Sequence, residues 1–136
     1  MYEIFEHTAD LGMRVQAESR EALFAEAARG FCAMLVTNPD AVRAERQIDF
    51  QVKGADLDYL LLDWLNELLF AFESQDLLLC EFDVQLDEQG LTAQAQGETI
   101  DPARHQLDHE VKAITYHGLK VEQTGDHWQA EVIVDI

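Results

Sequence analysis

The apolar residues between positions 57 and 72 recur at steps of three and four, and this run constrains the fold more than any other part of the sequence. Residues at these steps share one face of an α-helix. Such a stripe is typical of a helix that packs in a core, although a partner-binding helix shows the same pattern. Tyr59, Leu62 and Phe70 lie outside the stripe, which suggests that part of the opposite face is also covered. The stripe consists of Leu57, Leu60, Leu61, Trp64, Leu65, Leu68, Leu69 and Phe72.

A second helix and several strands surround this helix in the sequence. Apolar spacing from Leu23 to Leu35 predicts the other main helix, with Ser19 as its N-cap and Asn38-Pro39-Asp40 as its end. Residues 98–109 are predicted to form a loop. The order of elements predicts a single α+β domain over residues 1–136, with a largely antiparallel or mixed β-sheet packed with two main helices. Alternating or apolar runs predict strands at 2–7, 11–17, 48–52, 82–86, 91–95, 113–123 and 128–136.

The charge balance limits which partners suit this chain. The sequence has nine basic and 27 acidic residues, which gives a net charge of −18 and an isoelectric point near 4.3. Proteins that bind nucleic acid use Lys and Arg against the phosphates, so we expect no tight, direct binding to RNA or DNA. An acidic surface can instead steer a protein towards a basic partner, or serve solubility alone. No membrane-spanning run or signal peptide is present in this sequence, so a cytoplasmic protein is expected.

The two cysteines show no spacing that is typical of a metal site. Cys32 lies in an apolar helical stretch, and Cys80 lies at the start of an apolar strand. We expect both to be buried as small apolar side chains and not to form a disulfide or bind zinc.

Acidic groups near both ends of the chain form the main candidate site. Asp10 follows His7 in a short connection between two predicted strands, and the last strand finishes on Asp135 and Ile136. If the first and last strands are neighbours, the Asp10 and Asp135 carboxylates and the terminal carboxylate of Ile136 meet in one corner. Adjacent carboxylates repel one another unless a cation lies between them, and oxygen ligands favour Ca²⁺ or Mg²⁺. The alternative is that Asp10 accepts hydrogen bonds from turn amides while His7 packs at the sheet edge.

Two further residues are predicted to lie near this corner. Lys112 and His117 belong to the segment that we expect to pair with the last strand. A lysine beside several carboxylates more often balances charge than acts as a nucleophile. The sequence has no phosphate-binding loop, nucleophile elbow or dinucleotide-binding motif, so an autonomous nucleotide-binding enzyme is poorly supported.

Four blocks of the sequence together resemble the archease family. They occur in the family's order and cover the chain from residue 7 to its end. The resemblance implies a small α+β protein that acts as a cofactor for the tRNA-splicing RNA ligase RtcB. The blocks are His7-Thr8-Ala9-Asp10 with Gly12, Asp63-Trp64-Leu65-Asn66-Glu67-Leu68-Leu69, Lys112-Ala113-Ile114-Thr115-Tyr116-His117 and Val132-Ile133-Val134-Asp135-Ile136.

The resemblance also implies a mode of action and a metal site. RtcB joins RNA 2′,3′-cyclic phosphate or 3′-phosphate ends to 5′-hydroxyl ends after guanylylation of a histidine, and archeases promote that guanylylation and multiple turnover. The family carries a metal, reported as calcium, whose ligands match Asp10, Asp135 and Ile136 here. His7 is carried over as a neighbour of the site, and Lys112 matches a family position of less certain role.

Two functions from different classes therefore remain open at this point. The first is an accessory activator of the ligase that has no turnover of its own. The second is a metal-dependent hydrolase with His7 as its base, or a general chaperone-like modulator, acting through the same acidic corner. A hydrolase requires an open metal position and a substrate cleft, which the accessory role does not.

Overall fold

The structure is a computed structural model that describes residues 1–7 and 10–136, with His7 described by its backbone alone. Helix α1 spans Arg20–Leu35, helix α2 spans Leu57–Gln75, and a short 3-10 turn covers Pro39–Ala41. The strands are β1 (Tyr2–His7), β2 (Asp10–Ala17), β3 (Arg46–Lys53), β4 (Leu77–Asp87), β5 (Gly90–Thr99), β6 (Ala113–Ile114), β7 (Lys120–Thr124) and β8 (His127–Asp135).

The strands form two antiparallel sheets. The five-stranded sheet has the order β1-β2-β8-β6, and β7 pairs with β8 on the same edge as β6. The three-stranded sheet has the order β3-β5-β4. The predicted α+β class is confirmed, with the strands divided between two sheets and every described pairing antiparallel.

Side chains cap the first turns of both helices. The Ser19 hydroxyl accepts a hydrogen bond from the Ala22 N–H at 3.1 Å, and the Asp56 carboxylate accepts one from the Asp58 N–H at 2.9 Å. These side chains satisfy amide groups that have no partner within the first helical turn. The structure therefore confirms the predicted N-cap Ser19 of α1, and it shows that Asp56 is the N-cap of α2.

The two helices join the sheets through a common apolar core. Helix α1 packs on β1, β2 and β8 of the larger sheet and on β4 of the smaller one, while α2 contacts strands of both sheets. Trp64 of α2 is fully buried, and its indole lies edge-on to Phe50 at 5.3 Å and to Phe82 at 6.3 Å between ring centroids. The core role predicted for the α2 stripe is thus confirmed.

Two details of the predicted strands are wrong. The segment 113–123 is not one strand, because a turn closed by the Leu119 N–H to Tyr116 carbonyl hydrogen bond separates β6 from β7. Gly118 in that turn has a φ of 65°, a conformation that an extended strand cannot contain. The first and last strands are not direct neighbours either, because β2 lies between β1 and β8.

Neither cysteine forms a disulfide in the described structure. Cys32 is buried, as expected, while Cys80 is only partly buried at an irregularity in β4. Burial raises the pKa of the Cys32 thiol to about 12, so this group is a poor nucleophile at neutral pH. No helix in the described part of the chain is long and apolar enough to cross a membrane.

Candidate functional site

The Asp10 and Asp135 residues lie directly opposite each other in neighbouring strands. Asp10 begins β2, Asp135 ends β8, and the antiparallel register pairs their Cα atoms. Side chains of residues directly opposite in such a pair leave the same face of the sheet, with Cβ atoms about 4.5–5.5 Å apart. Two carboxylates separated by 125 positions in the sequence are therefore adjacent in space.

The burial of neighbouring residues explains why both carboxylates face outwards. Leu11 pairs with Val134 and Met13 pairs with Val132, and all four side chains are buried against the helices. Since side chains alternate across a strand, the residues between them face away from the core. Ile136 follows Val132 and Val134 at the same two-residue spacing, and its side chain also packs against the core. The last residue is therefore held beside Asp135.

Strand β6 completes the neighbourhood of Asp135 on its other side. The Lys112 N–H donates a 2.7 Å hydrogen bond to the Asp135 carbonyl oxygen, and Ala113 pairs with Asp135 in register. The backbone of His7 pairs with Asp10 on the opposite side. Register thus places the predicted residues His7, Asp10, Asp135 and Lys112 at one end of the larger sheet.

His117 follows β6, the strand that pairs with the end of β8. It lies in the turn between β6 and β7, where its N–H donates to the Thr115 hydroxyl at 3.4 Å. Thr115 is aligned with Ile133, because its N–H donates to the Ile133 carbonyl at 3.0 Å. The register therefore does not bring His117 into line with Asp10 and Asp135.

The basic side chain on this face of β2 is already paired with acids. Arg14 contacts Glu131 at 3.1 Å and Glu3 at 3.9 Å, and its guanidinium lies 4.3 Å from the Phe5 ring centroid. Arg14 is four residues along the strand from Asp10, a distance of about 13 Å. Its charge is thus largely neutralised and lies too far away to screen the two aspartates effectively.

The oxygen groups at this corner fit a hard divalent cation. Among the side chains that the structure describes, which do not include that of His7, no three His, Cys, Asp or Glu come together as metal ligands. The predicted set contains only two such side chains, Asp10 and Asp135, and takes its third group from the Ile136 backbone carboxylate. By register, Asp135 lies opposite Asp10 and is followed directly by Ile136. Ligand sets made of oxygen atoms suit Ca²⁺ better than zinc.

A second cluster of charged side chains lies under the loop that follows β5. The Glu98 carboxylate is 3% exposed and accepts hydrogen bonds from the Arg104 guanidinium, the Arg43 N–H at 2.6 Å and His105 Nε2 at 3.1 Å. His105 Nδ1 accepts from the Asp101 N–H at 2.8 Å, so Nε2 carries the proton that is donated to Glu98. Burial alone raises the pKa of Glu98, but the hydrogen bonds from Arg104, Arg43 and His105 outweigh it and hold the pKa at about 2.

The sequence predicted residues 98–109 only as a loop and assigned no role to His105. The signal that was available is the placement of Glu98 at an alternating strand position, followed by Arg104 and His105. A carboxylate bound only by side chains and amides of its own chain has no capacity left for a ligand. This cluster fixes the loop to the sheet and is not a second candidate site.

The comparisons with known proteins agree with the fold. Residues 2–136 match the Archease protein family (MTH1598/TM1083). The chain is 42% identical over 139 residues to the protein archease of Methanopyrus kandleri, covering 99% of both chains. It is 36% identical over 140 residues to the protein archease of Pyrococcus furiosus, covering 99% of this chain and 98% of that relative.

Solved structures show the same architecture. The solution structure of Methanobacterium thermoautotrophicum protein 1598 superposes with a TM-score of 0.87 at 32% identity, covering 99% of this chain and 98% of the other. The crystal structure of a Thermotoga maritima archease described as a possible chaperone has a TM-score of 0.68 at 20% identity, covering 100% and 98%. That second likeness concerns the fold alone. The family match and the identities over nearly the full length of the relatives show that this chain belongs to the archease family.

Proposed function

We propose that this protein is a cytoplasmic, metal-binding accessory protein that activates an RtcB-type RNA ligase by promoting its guanylylation and multiple turnover. Ca²⁺ is the proposed metal, and Asp10, Asp135 and the α-carboxylate of Ile136 are its ligands. The observation that carries the proposal is the register between β2 and β8, which makes the two aspartates direct neighbours on one face. Membership of the archease family supplies the link to the ligase.

The electrostatics of the corner explain what a bound cation changes. Two adjacent carboxylates repel each other, and a divalent cation converts this repulsion into attraction while fixing both side chains. Ile136 reaches the corner because its own side chain is anchored in the core. The first residue of β2 and the last residue of β8 then present one ordered, rigid surface to the ligase. His7 and Lys112 are their neighbours in the sheet.

The overall charge supports a protein partner in preference to RNA. With a net charge of −18, the chain repels phosphate backbones and attracts basic surfaces. A ligase that binds RNA presents such a surface. The accessory protein therefore contacts the enzyme, and the enzyme contacts the RNA.

Replacing either aspartate by alanine is expected to weaken Ca²⁺ binding by about tenfold or more, because the charge of the ligand set determines calcium affinity. Asp135 is exposed and Asp10 half-buried, so thermal unfolding should change little in the absence of calcium. The measurements are calorimetric titration with Ca²⁺ and the rate of ligase guanylylation with GTP. Both should be impaired in Asp10→Ala and in Asp135→Ala.

The matched control for this experiment is Asp126→Ala. Asp126 is a fully exposed acid in the turn between β7 and β8, at the opposite end of β8 from Asp135. It should leave calcium affinity and guanylylation unchanged. Unaltered calcium affinity in both site variants would exclude these aspartates as ligands. Turnover of nucleotides or phosphodiesters by the protein without ligase would favour the hydrolase instead.

An extension after Ile136 is expected to reduce ligase activation while the fold is retained. A further residue converts the α-carboxylate into a neutral amide, whose carbonyl can still bind Ca²⁺ but supplies no negative charge. The comparison is the guanylylation rate with C-terminally extended, N-terminally extended and unextended protein at equal Ca²⁺. The N-terminal extension is the control, because Met1 is at the opposite end of β1 from the corner. Equal rates from all three proteins would exclude the carboxylate as a ligand.

A further inference from the structure

The exposed face of helix α2 is unusual because it combines aromatic and acidic side chains. Its outward stripe comprises Tyr59, Asp63, Asn66, Phe70 and Glu73, and every one is exposed. Tyr59 and Phe70 are 55% and 64% exposed. They are eleven residues apart, which places them nearly in line on the helix, about 16 Å from each other. The aromatic side chains therefore mark the two ends of one surface.

A third exposed aromatic side chain extends this surface. Tyr116, from the turn between β6 and β7, stacks on Tyr59 with ring centroids 4.8 Å apart and planes 9° from parallel. Tyr116 is 44% exposed, so the stack presents aromatic surface to solvent. Large exposed apolar side chains scattered singly are ordinary, but three that share one face indicate an interaction site. We call Tyr59, Asp63, Glu67, Phe70 and Tyr116 the α2 surface.

A shallow cavity lies beside Phe70. It has a volume of about 380 Å³ and lies between α2 and β3, lined by Val52, Lys53, Asp63, Asn66, Glu67 and Phe70. Val52 is buried and supplies an apolar floor, while the exposed rim carries two acids, Asp63 and Glu67, and one base, Lys53. An apolar floor with a charged rim is the usual composition of a protein docking site.

Three exposed acids of α2, namely Asp63, Glu67 and Glu73, do not stabilise the helix on which they lie. Asp63 and Glu67 are four residues apart, a spacing at which like charges repel. Glu73 lies in the last turn, where the helix dipole disfavours negative charge, and that turn contains no basic residue. In addition, the fifty residues from Gly54 to Ala103 contain twelve acids and no Lys or Arg. The repulsion between Asp63 and Glu67 lowers the stability of the free protein, and a cation-bearing surface that binds there reduces it, in addition to Lys53 beside the same cavity.

From these observations we propose that the α2 surface is the docking site for a basic, arginine-bearing surface of a partner protein. Arginine suits both parts of the site, because its guanidinium pairs with carboxylates and stacks on aromatic rings. Phe70 is the apolar anchor, and Asp63 with Glu67 sets charge complementarity. The inference rests on the proposed function, in which the partner is the RNA ligase, and it assigns docking to a surface separate from the Asp10–Asp135 corner.

The test measures binding to the purified ligase by biolayer interferometry at low and high salt. Phe70→Ala is expected to raise Kd about tenfold, which is typical of an aromatic anchor. The double variant that carries Asp63→Lys and Glu67→Lys should also raise Kd at least about tenfold, mainly by slower association. It should also reduce the salt dependence of the association rate. Matched controls are Leu107→Ala, an exposed apolar side chain elsewhere, and Asp126→Lys, which adds the same kind of charge away from α2. Both controls should bind like the unmodified protein.

Activation provides a second readout that separates docking from the metal corner. Variants of the α2 surface should raise the concentration needed for half-maximal guanylylation without lowering the maximum, whereas Asp135→Ala should lower the maximum. If the unmodified protein binds the ligase and both α2 variants bind within twofold of it, the docking inference is overturned and the proposed function stands. If the unmodified protein neither binds nor stimulates the ligase, both fail. If Phe70→Ala abolishes only self-association in sedimentation, the occupant is a second copy of this chain and the inference is overturned.

Discussion

Trp64→Ala is expected to lower the free energy of unfolding by about 4 kcal/mol, the usual cost of removing a buried aromatic side chain. Trp64 is fully buried between Phe50 and Phe82, and its indole N–H donates a 3.0 Å hydrogen bond to the Phe24 carbonyl oxygen of α1. Truncation therefore creates a cavity and removes a buried hydrogen bond that joins α2 to α1. For a domain of this size, such a loss is a large part of the total stability.

Trp64→Phe separates the two contributions to this loss. Phenylalanine keeps an aromatic ring between Phe50 and Phe82 but cannot donate to the Phe24 carbonyl, so we expect a smaller loss of about 2 kcal/mol. Urea unfolding should be followed by far-ultraviolet circular dichroism, because either variant leaves Trp128 as the sole tryptophan. A loss below about 1 kcal/mol in Trp64→Ala would contradict the central position of this residue in the core.

The helices could be predicted from the sequence because their signals are local. The spacing of Leu60, Trp64 and Leu68 is enough to define a buried helical face, and Ser19 and Asp56 mark helix starts through contacts with amides two or three residues away. Such contacts depend only on nearby residues. The α+β class follows from the order of these elements along the chain.

The pairing of strands was less predictable because it depends on long-range contacts. Alternation assigns Asp10 and Asp135 to strands, but it does not decide whether β1 or β2 lies next to β8. The observed order places β2 there, and its register then brings the two aspartates opposite each other. The division of 113–123 into two strands depends on the turn at Gly118, which alternation alone does not reveal.

The burial of Glu98 and the exposure of Phe70 were not predicted, because each depends on the residues that pack around it. Glu98 occupies an outward strand position, where an exposed acid is expected, but the loop carrying Arg104 and His105 covers it. The sequence suggested that Phe70 was partly covered, whereas it is one of the most exposed apolar residues described. Neither outcome follows from periodicity, which specifies a face but not what packs on that face.

The candidate corner and the α2 surface divide the proposed activity into two separable parts. The corner lies at the end of β2 and β8, whereas α2 packs against the opposite, inward side of the larger sheet through β6 and β7. A protein that docks through one surface and acts through another can lose activation while retaining affinity, or the reverse. The variants at Asp135 and Phe70 are therefore informative as a pair.

Glu98→Gln is expected to lower the free energy of unfolding by about 3 kcal/mol at neutral pH, because it removes one partner of a buried ion pair. All the groups around the carboxylate are donors, namely the Arg104 guanidinium, the Arg43 N–H and His105 Nε2–H. A glutamine oxygen can accept from one side only, so its NH₂ group must face another donor. The loop over β5 then loses its main attachment to the sheet.

The pH dependence of this loss distinguishes the ion pair from ordinary packing. The pKa of Glu98 is about 2 in the folded protein against an ordinary value of 4.5, so the folded state favours the charged carboxylate. A lowered pKa contributes stability that is fully present above the unfolded value and is lost as the pH falls from about 4.5 through 2. Urea unfolding of both proteins between pH 7 and pH 2 should show the gap between wild type and Glu98→Gln narrowing over that window. The quantity to follow is the difference in unfolding free energy between wild type and Glu98→Gln. Protonation of the many other carboxylates relieves their repulsion equally in both proteins and cancels in this difference. A gap that stays constant down to pH 2 would mean that the ionised carboxylate contributes nothing and that Glu98 acts only by its shape.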